Sequence, residues 1–400
     1  MASNFGVNTI TTVNAARPIR INSSTPIGIA ASVLLDANVE AEAAILEKLN
    51  ADDGMLYYGS PDEALEDFKE NLGTVRNALD GIADQNVNAP VVLSLVQIDQ
   101  TQYDAGAPED TYGDPAVKSA VITAVGNLRK SGAKFGVKPN LIIAPFFSHD
   151  LDINAEMKSV ADALLATGIV DLNAADEADV NTQVDNYGTR RLLLCDPYVK
   201  VWDTVADAAA YEPSSARIAG MIARTDSEVE YGWADSFSNR VVNGISGSKR
   251  DIEFTPGQEC EADRLRTKAV TTLIRYNGFR AWGGETTDID PIWQDLTRVR
   301  VFDRVCEAAL DGLFWAIDRR ADILKSAKDS VEQMLLALKG SSVLLGFNVY
   351  WDPEKNTRAN ITAGKFYMVA EMQNMPIVKR LEVNFSYVDK YADVLIKQIS

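Results

Sequence analysis

The chain has 400 residues, 46% apolar and 24% charged, the balance of an ordinary soluble globular protein long enough for two or three cores. Its 57 acidic and 39 basic residues leave a net charge of −18, which argues against nucleic acid or an anionic membrane as partner, since both need a basic footprint. Three scattered cysteines, Cys195, Cys260 and Cys306, lack metal-ligand spacing and suit small apolar fillers in a chain made in a reducing cytoplasm. The opening MASNFGVNTITT has neither the basic nor the apolar stretch of a signal peptide, and no apolar run approaches the roughly 18–20 residues that span a bilayer.

Residues 1–22 read as an extended arm: Val7 to Val13 is β-branched and polar, and Pro18 keeps its second half out of helix. PIGIAAS (26–32) reads as a first buried strand, followed by helices over 37–50 and 61–79, with Asp80-Gly81 as a stop signal. The continuous apolar run 91–98 predicts a strand covered on both faces. Helices over about 115–130, 153–166, 175–186 and 213–224 then alternate with strands over 141–147, 168–172 and 191–196. Strands separated by helices of this length predict βαβ units in a mainly parallel sheet of three layers.

After Gly232 the chain turns rich in Gly, Ser and Asn, the composition of loops and short strands. A long amphipathic helix is expected over 297–317, with Val299, Phe302, Val305, Cys306, Ala309, Leu313 and Ile317 near one face, and a second over 322–339. Strands over 343–351 and 364–370 follow. From Arg380 onward, polar residues alternate with Leu381, Val383, Phe385 and Tyr387, a period of two that predicts a third strand close to the chain's end. A terminal strand has no onward connection and is free to pair with a neighbour's sheet.

Catalytic templates fit poorly. His149 is the single histidine, no three ligands group for zinc, and no GxGxxG follows a predicted strand. Gly54-MLYY-Gly59 has phosphate-loop glycine spacing, but Ser60-Pro61 stands where the lysine belongs, and the 244–249 segment GISGSK has the right residue types at the wrong spacing. Asp99, His149-Asp150, Asp171 and Asp196 follow predicted strands, where α/β active sites lie, and Asp99, His149 and Ser246 or Ser248 fall in an Asp-His-Ser order. An α/β hydrolase or metal-dependent enzyme built on Asp99, His149 and Asp196 is therefore the alternative to a structural role. Aspartates that cap helices and shape turns explain the same pattern without chemistry. Lys325, Lys328 and Lys339 lie along one helix, and Arg298, Arg300, Arg304, Arg319 and Arg320 in or beside another; such sets are solvated faces or docking points for an acidic partner.

Four segments carry a family likeness: VVNGISG (241–247), TTLIRYNGFRAWGGET (271–286), AGKFYM (363–368) and the ending LEVNFSYVDKYADVLI. They resemble contractile phage tail sheath proteins, in particular the compact sheaths of short myophage tails and R-type bacteriocins. The likeness covers residues 200–400 at motif level, and 40–135 show no matching motif. It implies an α/β plus α+β chain: an N-terminal arm (1–22), a three-layer outer domain subtilisin-like in fold but non-catalytic (23–287), a smaller α+β inner domain (288–376) and a C-terminal strand or arm (377–400). It also implies that the arms, at Val7, Thr9, Thr11 and Val13 and at Leu381, Val383, Phe385 and Tyr387, add strands to neighbouring subunits. Hexameric rings would then stack around a tail tube and meet baseplate and terminator proteins in a virion assembled in the host cytoplasm, with no cofactor. From the likeness and its charge, the 322–339 helix is expected to face the tube through Lys325, Lys328 and Lys339.

Overall fold

A computed structural model describes residues 17–69, 73–99, 114–204, 207–389 and 391–399. The strands in chain order are β1 (Ile27–Val33), β2 (Met55–Tyr58), β3 (Val91–Gln97), β4 (Leu141–Ile143), β5 (Thr167–Asp171), β6 (Leu192–Cys195), β7 (Val199–Asp203), β8 (Ala208–Glu212), β9 (Gly247–Ser248), β10 (Val270–Arg275), β11 (Phe279–Trp282), β12 (Leu344–Trp351) and β13 (Met368–Asn374). The helices are α1 (Glu40–Ala51), α2 (Pro61–Phe68), α3 (Val75–Ala83), α4 (Pro115–Asn127), α5 (Ser131–Phe135), α6 (Leu151–Leu164), α7 (Glu177–Val184), α8 (Ser215–Glu228), α9 (Glu261–Thr267), α10 (Leu296–Leu313), α11 (Leu324–Gly340), α12 (Arg358–Thr362) and α13 (Ala392–Ile399).

Eight strands form one sheet in the order β11-β10-β6-β5-β4-β1-β3-β2. Every interior pairing is parallel, while β2 and β11 close the two edges antiparallel. The predicted alternation produces this sheet because each crossover helix buries an apolar stripe on one face or the other. Val75, Leu79 and Ile82 of α3 and Ile218 and Ile222 of α8 cover one face; Val121 and Val125 of α4 and Met157 and Val160 of α6 cover the other. β1 is buried along its whole length, as a strand covered on both sides must be. The result is a mixed α/β protein.

The expected helix over 61–79 is two helices. The chain turns under β1 at Gly73, whose φ of +128° and contact with the Ser32 carbonyl leave no room for a side chain. Asp80 and Gly81 lie inside α3 and stop nothing. β2 occupies the segment tested for phosphate-loop spacing, and the β7–β8 hairpin went unpredicted because Ala208–Ala210 carry little strand preference. The strand expected over 141–147 covers three residues before the chain turns at 145–149.

A third apolar cluster gathers Val301, Val305 and Ala308 of α10, Val331, Leu335 and Leu338 of α11 and Val349 of β12. Helix α10 ends at Leu313, short of the predicted Ile317, and its buried stripe differs from the expected one: Cys306 is exposed, as is Ile317. Cys195 and Cys260 are the buried fillers the composition implied. Arg300 and Arg304 correct the reading of the arginines as a solvated or docking face. Both are buried, and both approach the equally buried Asp226 of α8. The chain ends in α13, so the last residues are not strand; no described residue of 376–389 joins a ladder.

Candidate assembly surface

Strands β12 and β13 pair only with each other among the described residues, with Phe347 opposite Met372, Val349 opposite Ala370 and Trp351 opposite Met368. These alternate positions form the face turned toward α11: Val349 is buried, and Phe347, Met368 and Met372 are half-buried against the third cluster. Tyr350 and Asn348 on the opposite face bond Glu371. The connection between the strands is stiff. Asp352 accepts from the backbone N–H groups of Glu354 and Lys355, while Asn356 donates to the Tyr367 carbonyl and accepts from its N–H. A two-stranded antiparallel pair is marginal in isolation, and among the described residues no further strand pairs with either outer edge.

Beyond Asn374 the chain leaves this sheet. The N–H of Met375 bonds the Val343 carbonyl, and Lys379 then reaches Glu285. The four sequence-predicted residues follow in extended chain, with Leu381 79%, Val383 61%, Phe385 91% and Tyr387 92% exposed. Large apolar residues at that exposure, two apart along the segment, are left without a covering partner among the described residues. Val394 and Leu395 of α13 are also exposed.

At the other end, Val7, Thr9, Thr11 and Val13 lie outside the described residues. The segment that follows them is tied down. The Arg17 N–H donates to Ser330 Oγ at 2.9 Å, its guanidinium stacks 4.2 Å from the Trp315 ring centroid, and Ile19 and Ile21 pack on the α10–α11 cluster. Of the three candidate lysines, Lys325 and Lys339 are exposed, whereas Lys328 pairs with Glu332 at 2.9 Å one turn along α11.

The residues of the enzymatic alternative serve the architecture. Asp150 caps α6, accepting from the N–H of Asp152, and pairs with Lys118 at 2.7 Å, which holds its carboxyl below the ordinary range despite partial burial. Asp171 is buried beneath α8 and accepts from Ser148 Oγ, Ser214 Oγ and the Ser215 N–H; burial lifts its pKa to about 6 against the pull of those donors. Asp196 is buried, raised by that burial, and paired with Arg250 while accepting from the Ala174 N–H at 3.2 Å. His149 is exposed and makes no hydrogen bond or ion pair among the described residues. The Ser246 hydroxyl donates to the Lys200 carbonyl, and Ser248 belongs to β9. Asp99 falls just past β3 and is held by contacts of its own. The described residues contain no cluster of three metal-ligating side chains and no helix long and apolar enough to cross a membrane.

Sequence reasoning missed Glu285, Arg266, Gly312 and Asp226, all of which hold the terminal segments or the long helices in place. Their partners lie tens to hundreds of residues away, so no local pattern marks them.

Comparison with known proteins identifies the family. The family model described as the phage tail sheath protein central domain matches residues 120–287. A prophage major tail sheath protein of Pseudomonas aeruginosa is 35% identical over 280 residues, 68% of this chain and 72% of the relative. The tail sheath protein of Escherichia phage P2 is 27% identical over 341 residues, 82% of this chain and 84% of the relative. In fold, the chain is similar to the contracted helical sheath of the anti-feeding prophage (TM-score 0.64, 19% identity, 96% of this chain and 99% of that one). It is also similar to the contracted sheath of an extracellular contractile injection system (TM-score 0.65, 14% identity, 98% and 99%). The chain therefore belongs to the phage tail sheath protein family and is a structural subunit of a contractile tail sheath rather than an enzyme.

Proposed function

We propose that the subunit polymerises by exchanging terminal strands and contracts to drive a tail tube through a host envelope. The observation that carries this reading is the pairing of two incomplete features: a two-stranded sheet that no other described residue extends on either edge, and an extended segment whose Leu381, Val383, Phe385 and Tyr387 are exposed. The period-two face of that segment matches the half-buried face formed by Phe347, Val349, Met368 and Met372. Added to an edge, it would bury its apolar side and satisfy the free ladder groups, each shared backbone bond contributing about 1 kcal/mol net.

In this reading an arm of about 20 residues reaches on the order of 65 Å, enough to cross to an adjacent copy. The N-terminal arm, Val7 to Val13, supplies a second added strand. The eight-stranded sheet, akin to that of subtilisins, faces outward, and the α10–α11 and β12–β13 unit faces the tube. Subunits stack as hexameric rings, and bodies slide past one another with the arms as hinges, so contraction unfolds nothing. Baseplate and terminator proteins bound the polymer, in a phage virion or a bacteriocin made in the bacterial cytoplasm.

Deleting residues 378–400 tests the strand exchange. By negative-stain electron microscopy the full chain, concentrated alone or with tube protein, is expected to form tubes or stacked rings, and the truncated chain only small particles. Tubes from the truncated chain at the same concentration would refute the reading. Tube contact is tested separately by reversing Lys325 and Lys328 to Glu. Tube-templated assembly should fail while self-assembly persists; unchanged templating removes these lysines from the tube face.

A further inference from the structure

Past Met375, one side chain ties the C-terminal segment to the body among the described residues. Between the Met375 N–H and the chain's end at α13, no described residue from 376 to 389 bonds the body except Lys379, whose Nζ donates to Glu285 Oε1 at 2.8 Å. Among the described residues Arg380 pairs only with Glu382, inside the segment itself, and both are more than four-fifths exposed. Residues 379–382 form one wall of an open cleft of about 1120 Å³ whose other walls include Trp282, Arg266 and Thr286.

Glu285 is built to receive this contact. It sits at the junction between β11 and α10, in a bridge with Asp295 that closes the 285–295 loop. Arg266, from the last turn of α9, grips its carboxylate through Nε and Nη2 at 3.0–3.2 Å and stacks over Trp282, whose indole N–H donates to Asp263. Arg266 thus immobilises the carboxylate independently of Lys379, and with Lys379 in place it is 15% exposed. An exposed ion pair is usually weak because two flexible side chains must be ordered. Here one partner is already ordered, so only the lysine loses freedom.

We infer that Lys379 is a positioning residue of the C-terminal arm: by bonding the pre-set Glu285 carboxylate it fixes where, and in which direction, residues 380–389 leave the subunit. The hinge that moves between assembly states then begins at Arg380, while residues up to Lys379 travel with the body. This inference rests on the strand-exchange reading. A polymer amplifies the contact, since every subunit's arm must leave at the same angle to meet its neighbour's sheet edge.

The test compares full-length Lys379→Arg, Lys379→Ala and Lys379→Glu for the lowest concentration that forms tubes, across a range of ionic strength. Expected results are wild-type assembly for Lys379→Arg, a threshold about fivefold higher for Lys379→Ala, and about tenfold or more for Lys379→Glu, which sets a like charge against Glu285. Melting temperatures of the unassembled subunits should match, because the pair lies outside every core. The wild-type threshold should rise with salt more steeply than that of Lys379→Ala. Wild-type assembly by Lys379→Glu overturns the inference, as does a defect that Lys379→Arg shares with Lys379→Ala. If the 378–400 deletion fails to assemble while Lys379→Glu succeeds, the positioning role falls and strand exchange stands. If the deletion itself assembles, both fall.

Discussion

Ile19 fills a notch over Gly312: a Cβ placed on Gly312 would lie 2.7 Å from both Cγ atoms of Ile19. No side chain fits there unless the N-terminal segment moves. Gly312 stands next to the last residue of α10, where alanine is intrinsically the better helix former by about 1 kcal/mol. Gly312→Ala should therefore leave the melting temperature of the subunit unchanged or slightly raised while displacing Ile19. Limited trypsinolysis checks this: cleavage after Arg20 should become several-fold faster. An unchanged cleavage rate would show that the segment accommodates the methyl group where it lies.

Asp226 carries the charge balance between α8 and α10. Arg300 donates to it from two nitrogens, one at 3.0 Å, Thr25 donates its hydroxyl to it, and Arg304 stands 3.8 Å away while bonding Thr25 and Asn140. Burial and the neighbouring Arg300 depress the Arg304 pKa to about 10, the signature of two cations sharing too little counter-charge. Asp226→Asn would strand both guanidinium groups in the interior, at a cost of about 3–5 kcal/mol. Urea unfolding of the unassembled subunit should show a midpoint shifted accordingly; a loss below about 1 kcal/mol would mean that water reaches the pair.

Asp171 makes stability depend on pH in the direction opposite to a salt-bridged carboxylate. Its folded pKa is raised to about 6 from an ordinary 3.8, so the folded protein holds a proton there that the unfolded chain releases. The contribution is fully present below the unfolded value and is lost as pH climbs from about 4 to about 6, amounting to about 2–3 kcal/mol. Asp171→Asn removes that group. Unfolding free energies of the two proteins, measured at pH 4.5 and 7, should converge or cross in favour of the variant at the higher pH. Parallel pH profiles would place the proton elsewhere.

The parallel sheet was legible because its signal is local: apolar runs such as 91–97 and 192–195, separated by helical stretches, leave few other ways to bury both faces. The missing pieces carry weak local signals. The β7–β8 hairpin is built from alanines, and the break between α2 and α3 depends on how closely Gly73 approaches Ser32, 41 residues earlier. Arg300 and Arg304 read as surface charge because their partner sits on another helix, 74 residues from Arg300.

By itself, the sequence determined the mixed α/β class, the presence of a single histidine, His149, and the period-two alternation at Leu381, Val383, Phe385 and Tyr387. Each is a property of composition or of residues two to four apart, and such neighbours stay neighbours in any fold. Tertiary structure alone decided that β12 and β13 pair only with each other among the described residues, that Asp171 and Asp196 are buried supports, and that Lys379 meets Glu285 across 94 residues. Those outcomes depend on which distant groups share a desolvated space, and chain order does not encode that distance.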